Sequence, residues 1–427
     1  MLTSWGLYPK VENSFCTFQS KRELVECLKK DKVYIPYGNG RSYGDSALNK
    51  DIIYCRPYNY FLDFDEKNGI LHTQSGVLLS EILDIVVPKG WFLEVTPGTK
   101  YITVGGAIAS DVHGKNHHIA GCFSQSVLEF NLMLPTGEVV NVKPEDELFR
   151  ATCGGMGLTG VILDAKIKLK KINSTYINQT AIKTKNLQET FEYFERYKDS
   201  PYSVAWIDCL SKDIGKSILF VGDFLNDGML EYKKKKTVNV PFFFPSFTLN
   251  KFSVKIFNFL YYNKIREEIT SKTVDIDTFF YPLDSIDNWN RIYGKQGFLQ
   301  YQFILPKKTS YEGLEEILYE IYKSGKGSFL AVLKLYGKEN NNYLSFPMEG
   351  YSLALDFKIE SGLFELLEKL DKIVVKYGGR IYLAKDSRVS REVFEVGYPK
   401  VEKFREIRKI YEMDKKFSSL QSRRLGL

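Results

Sequence analysis

Histidine is scarce in this sequence: there are four in 427 residues, and three of them, His113, His117 and His118, fall within six positions of one stretch, VGGAIASDVHGKNHH (104–118). A metal centre wants three or four converging ligands, and Asp111 is the one acidic residue beside these imidazoles, so no metal is expected. The six cysteines, Cys16, Cys27, Cys55, Cys122, Cys153 and Cys209, show no CxxC pair or ligand-like spacing. They read as reduced thiols of a cytosolic protein. No window approaches 18 apolar residues, which excludes a spanning helix. The start, MLTSWGLYPKVENSF, lacks a basic segment followed by an apolar one, so no secretory signal is expected. There is no internal repeat. The formal net charge is only +7, which does not argue for nucleic acid and suits a mild attraction to anionic lipid or phosphorylated substrates equally well.

What is present is the balance of a folded protein, 44% hydrophobic and 26% charged residues, on a chain long enough for two or three domains. The first part is rich in glycine and in short β-branched runs, KVYIPYGNG, IIYCRPY, GILHTQSGV, VLEFNLMLPTGEVVNV and GVILDAKIKL, with a hairpin at Pro135–Glu138. Two helices interrupt them. One follows a Ser20 cap with Leu24, Val25 and Leu28 at helical spacing, and the other, LLSEILDIVVPKG, stops at Pro88 and Gly90. Beyond about residue 176 the pattern becomes longer. NLQETFEYFERYK and SYEGLEEILYEIYKSGKG are amphipathic helices, and YSVAWIDCL, FLQYQFILP, SFLAVLKLYG and YSLALDFKI alternate as strands. The expected architecture is α+β, with an antiparallel sheet covered by helices. After the lysine run 233–236, the aromatic segment VPFFFPSFTLNKFSVKIFNFLYYNKIREE reads as a core helix behind a proline-bounded loop; the alternative is an amphipathic lid that touches lipid.

Three segments carry the chemistry. PYGNGRSYGDSALN (36–49) follows a strand and places Gly38, Gly40 and Gly44 where successive N–H groups can converge on a phosphate. Its spacing is not that of a Rossmann fingerprint. TPGTKYITVGGAIASDVHGKNHH (96–118) adds a glycine turn and then small residues that let backbone lie against a flat ring, and CGGMGLTGVI (153–162) is a third glycine loop. Together they would wrap one extended ligand. On the strand FLQYQFILP, Gln300 and Gln302 face the same side and need partners, which a sugar's hydroxyls would supply. Lys334 within an apolar strand calls for an anion or a carboxylate.

This triplet of loops resembles the PCMH-type FAD-binding superfamily of vanillyl-alcohol oxidase. More narrowly it is similar to the decaprenylphosphoryl-ribose oxidase family, the flavoprotein partners in an arabinose epimerisation. The likeness extends through FYPLDSIDNWNRIYGKQGFLQYQFILP, SFLAVLKLYGKEN, LSFPMEGYSLALDF, GGRIYLAKDSR and the terminal SRRLGL. It implies a two-part FAD-binding domain over 1–177, a substrate domain over 178–379 and a C-terminal segment, 380–427, that returns to the first. It implies FAD held by Pro36, Tyr37, Gly38, Asn39, Gly40, Arg41, Ser42, Tyr43, Gly44, Asp45 and Ser46. Gly98, Thr103, Val104, Gly105, Gly106, Ser110, Asp111, Val112, His113, Ile162 and Tyr382 would complete that site. Relatives often attach flavin through a histidine of the first loop; Arg41 stands there, so the flavin is expected to be non-covalent.

The resemblance also implies catalytic roles for Lys385 and His113, with Lys385 taking the substrate's hydroxyl proton. A lysine away from bulk water has a lowered pKa, which suits a base. The substrate pocket would hold Tyr43, Gln300, Gln302, Lys334, Ser352 and Lys385. Three positions depart from the family: a pocket cysteine reads Ala354, an asparagine reads Ser352 and a tyrosine reads Phe280. The departures imply resistance to compounds that trap that cysteine, and they leave the substrate open. The expected activity is oxidation of a secondary hydroxyl of a phosphorylated or lipid-linked pentose to a ketone, in the cytoplasm or at the membrane's inner face. An NAD(P)H-dependent short-chain reductase would complete the epimerisation. An oxidase of a soluble alditol or aldonolactone, and a flavin- or sugar-binding protein without turnover, are the alternatives.

Overall fold

The computed structural model describes residues 1–233 and 235–427. The first part of the chain builds two sheets. β1 (Ser14–Thr17), β2 (Tyr34–Tyr37) and β3 (Asp51–Tyr54) pair in parallel with β3 central. β4 (Phe61–Asp65), β5 (Ile70–Gln74), β6 (Trp91–Leu93), β7 (Val127–Met133), β8 (Val139–Val142) and β9 (Val161–Lys171) form an antiparallel sheet in the order β4-β5-β9-β7-β8, with β6 also on β9. The β7–β8 hairpin closes through the PTGE turn, where Gly137 sits at φ +87°, a conformation that costs an L side chain but not glycine. The helix Lys21–Leu28 starts where Ser20 accepts from the Glu23 N–H. Leu79–Val86 runs into a short 3₁₀ turn containing Pro88 and ends on Gly90 in the left-handed region.

The second part supplies β10 (Tyr176–Thr184), β11 (Tyr202–Ile207), β12 (Ser217–Phe224), β13 (Val238–Asn239), β14 (Ile269–Asp275), β15 (Ile286–Asp287), β16 (Phe298–Pro306), β17 (Ala331–Tyr336), β18 (Gly350–Lys358) and β19 (Arg380–Ile381). β13 and β15 pair with each other. The other eight form one antiparallel sheet, β14-β10-β12-β11-β17-β18-β16-β19. The expected α+β class holds. Because side chains alternate along a strand, this sheet has two distinct faces. Tyr301 on β16 donates to Asp371 of the helix Leu363–Lys376, and Tyr351 on β18 donates to Glu195 of the helix Leu187–Arg196. These two helices and Ser310–Ser324 cover that face with buried leucines and isoleucines. The opposite face carries Gln300, Gln302, Lys334, Ser352 and Asp356 toward the first part of the chain.

Past β19 the chain returns. Tyr34 bridges to Phe417, the Ser418 N–H donates to the Tyr34 carbonyl at 2.8 Å, and the Leu420 N–H donates to that of Leu48 at 2.8 Å. The core-helix expectation for the aromatic segment needs correction. Lys251–Asn263 is a helix, yet it buries only Val254, Asn258 and Tyr262, and leaves most of its phenylalanines in solvent. The stripe that meets the protein is its polar-containing one. Of the lysine run 233–236, Lys234 lies outside the described residues.

Candidate active site

A cavity of about 1000 Å³ lies between the uncovered face of the eight-stranded sheet and the glycine-rich segments of the first part. The first loop enters from β2. Gly40 takes φ +62°, which turns successive amides inward as in an anion nest. Among the described residues, the N–H groups of Gly38, Asn39, Gly40, Arg41 and Ser42 have no protein acceptor. The Arg41 guanidinium lies 4.0 Å from the centroid of Trp5 and leaves its Nε unpartnered. The second segment is not a simple loop: Gly105 and Gly106 belong to a six-residue helix, Val104–Ala109, whose N-cap Thr103 accepts from the Gly106 N–H. In the third, Met156 (φ +52°) turns the chain so that Met156, Gly157 and Gly160 reach the cavity beside Ile162. Buried Arg41 Nε, Ser75 Oγ and His113 Nδ1 have no protein partner, and all three residues line the cavity. An extended ligand with anionic and hydrogen-bonding groups fits that set of donors, and FAD is such a ligand.

Of the residues expected from the sequence, Pro36 to Tyr43, Ser46, Gly98, Thr103, Gly105, Gly106, Ser110, Val112, His113, Ile162 and Tyr382 line this cavity. So do Gln300, Gln302, Lys334, Ser352 and Lys385. Four others stand behind the wall. Gly44 lies against the Asp386 backbone, where a Cβ would strike the carbonyl oxygen. Asp45 pairs with Arg424 at 2.9 Å. Val104 is core. Asp111, fully buried, accepts from Asn340, Asn342, Ser345 and the Ser124 N–H. These four shape the loops from outside the cavity.

At one end of the cavity the titratable groups converge. The Lys385 ammonium sits 3.6 Å from the Tyr43 ring centroid. Burial draws its pKa down toward neutrality; Asp356 opposes this and Lys334 adds to it. Asp356 is itself buried beside β17 and β16, accepts from Gln300 Nε2 at 2.6 Å and lies 3.4 Å from the Tyr293 hydroxyl. Burial pushes its carboxyl up, against the Gln300 hydrogen bond and the Lys385 charge. Gln300 thus already has a protein partner. Lys334 stands opposite Ser352 across the β17–β18 pair, and desolvation lowers it to about 8. His113 is held well below the usual imidazole range by burial, with Lys334, His117 and Lys385 acting in the same direction, so it is neutral. Gln302 Nε2 lies 3.3 Å from its Nε2 and 3.3 Å from Ser352 Oγ. An amide donor there leaves the imidazole proton on Nδ1, the unpartnered atom.

The sequence reading passed over Lys115, Asp356 and Trp289. Lys115 lies within the quoted histidine stretch, lines the cavity and donates to the Phe279 carbonyl. Desolvation, then the charge of Lys334, lowers it to about 7. A lysine between glycine and asparagine carries no sequence signal of burial, whereas Asp356, alternating with Ser352 and Ala354 on an apolar strand, did. His117 accepts from the Gly337 N–H at 3.2 Å, and His118 bonds the Ser200 carbonyl at 2.9 Å. Ala354, Ser352 and Phe280 all line the cavity, so the departures from the family pattern fall within it.

Residues 19–143 match the model of a family described as an FAD binding domain. The chain is 36% identical to decaprenylphosphoryl-β-D-ribose oxidase of Mycolicibacterium smegmatis over 92% of its own length and 89% of the relative's. It is 28% identical to an uncharacterised protein of Streptomyces coelicolor over 82% of its length and the whole of that protein. It is 24% identical to D-arabinono-1,4-lactone oxidase of Candida glabrata over 44% of its length and 38% of that enzyme's.

Proposed function

The chain belongs to the decaprenylphosphoryl-β-D-ribose oxidase family and is an FAD-dependent oxidoreductase, and from that premise we propose that it oxidises a secondary hydroxyl of a lipid-phosphate pentose to a ketone. The observation that supports this best is the grouping of Lys385, Lys334, Lys115, neutral His113 and Gln302 on one cavity. The ammonium groups of Lys334 and Lys115 suit a phosphodiester, the Lys385 amine suits a base, and amide and hydroxyl groups suit a sugar.

FAD, when bound, supplies the two-electron acceptor for hydride leaving the carbinol carbon. The donors of Gly38–Ser42 and Arg41 would hold its anionic part. Arg41 offers no ring nitrogen for a covalent link, so the flavin is non-covalent. Lys385 is placed to take the hydroxyl proton: its depressed pKa leaves a large share of free amine near neutrality. The Nδ1–H of His113 is free to donate to an oxygen of the bound sugar. Lys334 and Lys115 hold the phosphate, and Gln302, steadied by Ser352, orients the ring hydroxyls. The ketone is then consumed by a separate NAD(P)H-dependent reductase, and the enzyme works at the membrane's inner face.

The test is anaerobic mixing of the flavin-loaded protein with a polyprenylphosphoryl pentose. Bleaching of the flavin band, with a ketone recovered in equal amount, is expected. A flavin that stays oxidised with that substrate and bleaches with a free alditol or aldonolactone would overturn the reading in favour of a soluble-sugar oxidase. Denaturation should release the flavin into the supernatant.

A further inference from the structure

The helix Lys251–Asn263 is built inside out for a soluble protein. Its buried stripe, Val254, Asn258 and Tyr262, recurs every four residues and is fastened by polar bonds: Asn258 donates to Asp208 at 2.6 Å, and the Tyr262 hydroxyl donates to the Thr184 carbonyl at 3.2 Å. The opposite side is apolar and in solvent. Phe252 is 74% exposed, Phe259 65% and Leu260 62%, and the preceding turn adds Phe242 at 63% and Phe247 at 76%. An ordinary surface helix turns its apolar stripe inward, and a contiguous exposed patch of this kind marks a contact surface. The helix start is fixed as well, since Asn250 caps its N-terminus and Ser253 returns the bond.

Charge selects the occupant. From Tyr232 to Arg266 there is no aspartate or glutamate, and there are eight lysines or arginines. On the helix and its end, Lys251, Lys255, Lys264 and Arg266 are exposed among the aromatics. Basic residues flanking phenylalanine and leucine are the composition of a helix lying in an anionic membrane interface. The end of the helix and the residues after it border the cavity: Tyr261, Lys264, Ile265, Arg266 and Glu267 line it, together with the apolar Trp206, Phe220 and Val204. The end of the aromatic helix thus shares one cavity with Lys334 and Lys385.

We infer that the helix Lys251–Asn263, with the turn at Phe242–Phe247, seats on the surface of an anionic phospholipid bilayer and opens the cavity mouth toward it. The contact itself stands on the exposed face and its charge; its purpose, entry of a lipid-borne substrate, rests on the function proposed above.

The test is flotation of the flavin-loaded protein with vesicles of phosphatidylcholine alone or mixed with phosphatidylglycerol, comparing the parent with a Phe252→Ser/Phe259→Ser variant. Both side chains are mostly exposed, so the variant should keep its flavin and melting temperature. The parent is expected to float with the mixed vesicles, less with phosphatidylcholine alone. The variant should partition about tenfold more weakly or worse. Turnover of a water-soluble pentose phosphate should be unchanged in the variant and turnover of a vesicle-embedded polyprenylphosphoryl pentose reduced. The inference is overturned if the parent stays off both vesicles or if the variant floats as the parent does. It is also overturned if the substitutions instead break a homodimer or a complex with a reductase while vesicle binding persists. A parent that floats but oxidises neither sugar would remove the proposed substrate and leave the membrane contact standing.

Discussion

Replacing Lys385 by methionine tests the proton-transfer reading most directly. Methionine keeps an unbranched chain of similar length over the Tyr43 ring and removes the amine. The fold should tolerate it, because the one carboxylate facing that amine, Asp356, already has its pKa raised by burial and can take up a proton while Gln300 stays bonded. A positioned general base is worth roughly two to four orders of magnitude, or about 3–5 kcal/mol of barrier. Anaerobic stopped-flow reduction of the flavin at saturating substrate should therefore slow by about a hundredfold or more. The pH profile carries a finer test. The base acts as free amine, so the parent's reduction rate should rise with pH through the neutral region and then level. Lys334→Met removes a neighbouring cation that favours the free amine, so the rise should move to higher pH. Asp356→Asn removes the carboxylate that favours the ammonium, so it should move to lower pH. A Lys385→Met enzyme with a parent-like rate, or two flanking variants whose profiles do not shift in opposite directions, would refute the assignment.

The cations at Lys334 and Lys115 should govern substrate binding. Lys115→Met should raise KM for a phosphorylated substrate about tenfold or more and leave a neutral sugar analogue unaffected. With the two ammonium groups lowered to about 8 and about 7, KM should climb as the pH rises through that interval and the lysines lose their charge; steady-state kinetics across pH checks both. Gly44→Ala should cost about 1–3 kcal/mol, because its methyl meets the Asp386 carbonyl, and should weaken flavin retention; thermal melting and spectral titration with FAD read the two effects. Arg424→Gln strips the shared partner from Asp45 and Asp386, at a cost of about 3 kcal/mol or more. Burial, offset by Arg424, holds the Asp45 acid up from 3.8 to about 6, so this carboxyl weakens the fold as pH rises through that window. Without the arginine the deficit should be larger at mildly alkaline than at mildly acidic pH, as urea unfolding at the two would show.

Local signals carried most of the architecture. The PTGE turn, the Ser20 cap and the Pro88–Gly90 stop each fixed an element by chemistry contained within a few residues. Alternation did the same for the strands, and it also placed Gln300 and Gln302 on one face. What escaped depends on distant partners. Nothing near Lys115 announces that Phe279 and Lys334 surround it, and nothing local distinguishes Gly105 and Gly106 in a loop from the same pair in a short helix capped by Thr103. The aromatic helix misled because large apolar residues usually mean burial; its interior stripe was chosen instead by Asp208 and the Thr184 carbonyl, both far away in sequence.

The first glycine loop and the segment carrying Lys385 are held to each other by backbone: the Tyr43 N–H donates to the Ala384 carbonyl, the Asp45 N–H to that of Asp386, and Arg424 ties both acids together. In the order of synthesis these pieces lie far apart along the chain. The first glycine loop is therefore made more than three hundred residues ahead of the backbone that holds it, and waits unsupported until that backbone follows. A chain interrupted before Ala384 would carry all three glycine-rich segments and lack the backbone that closes the first of them.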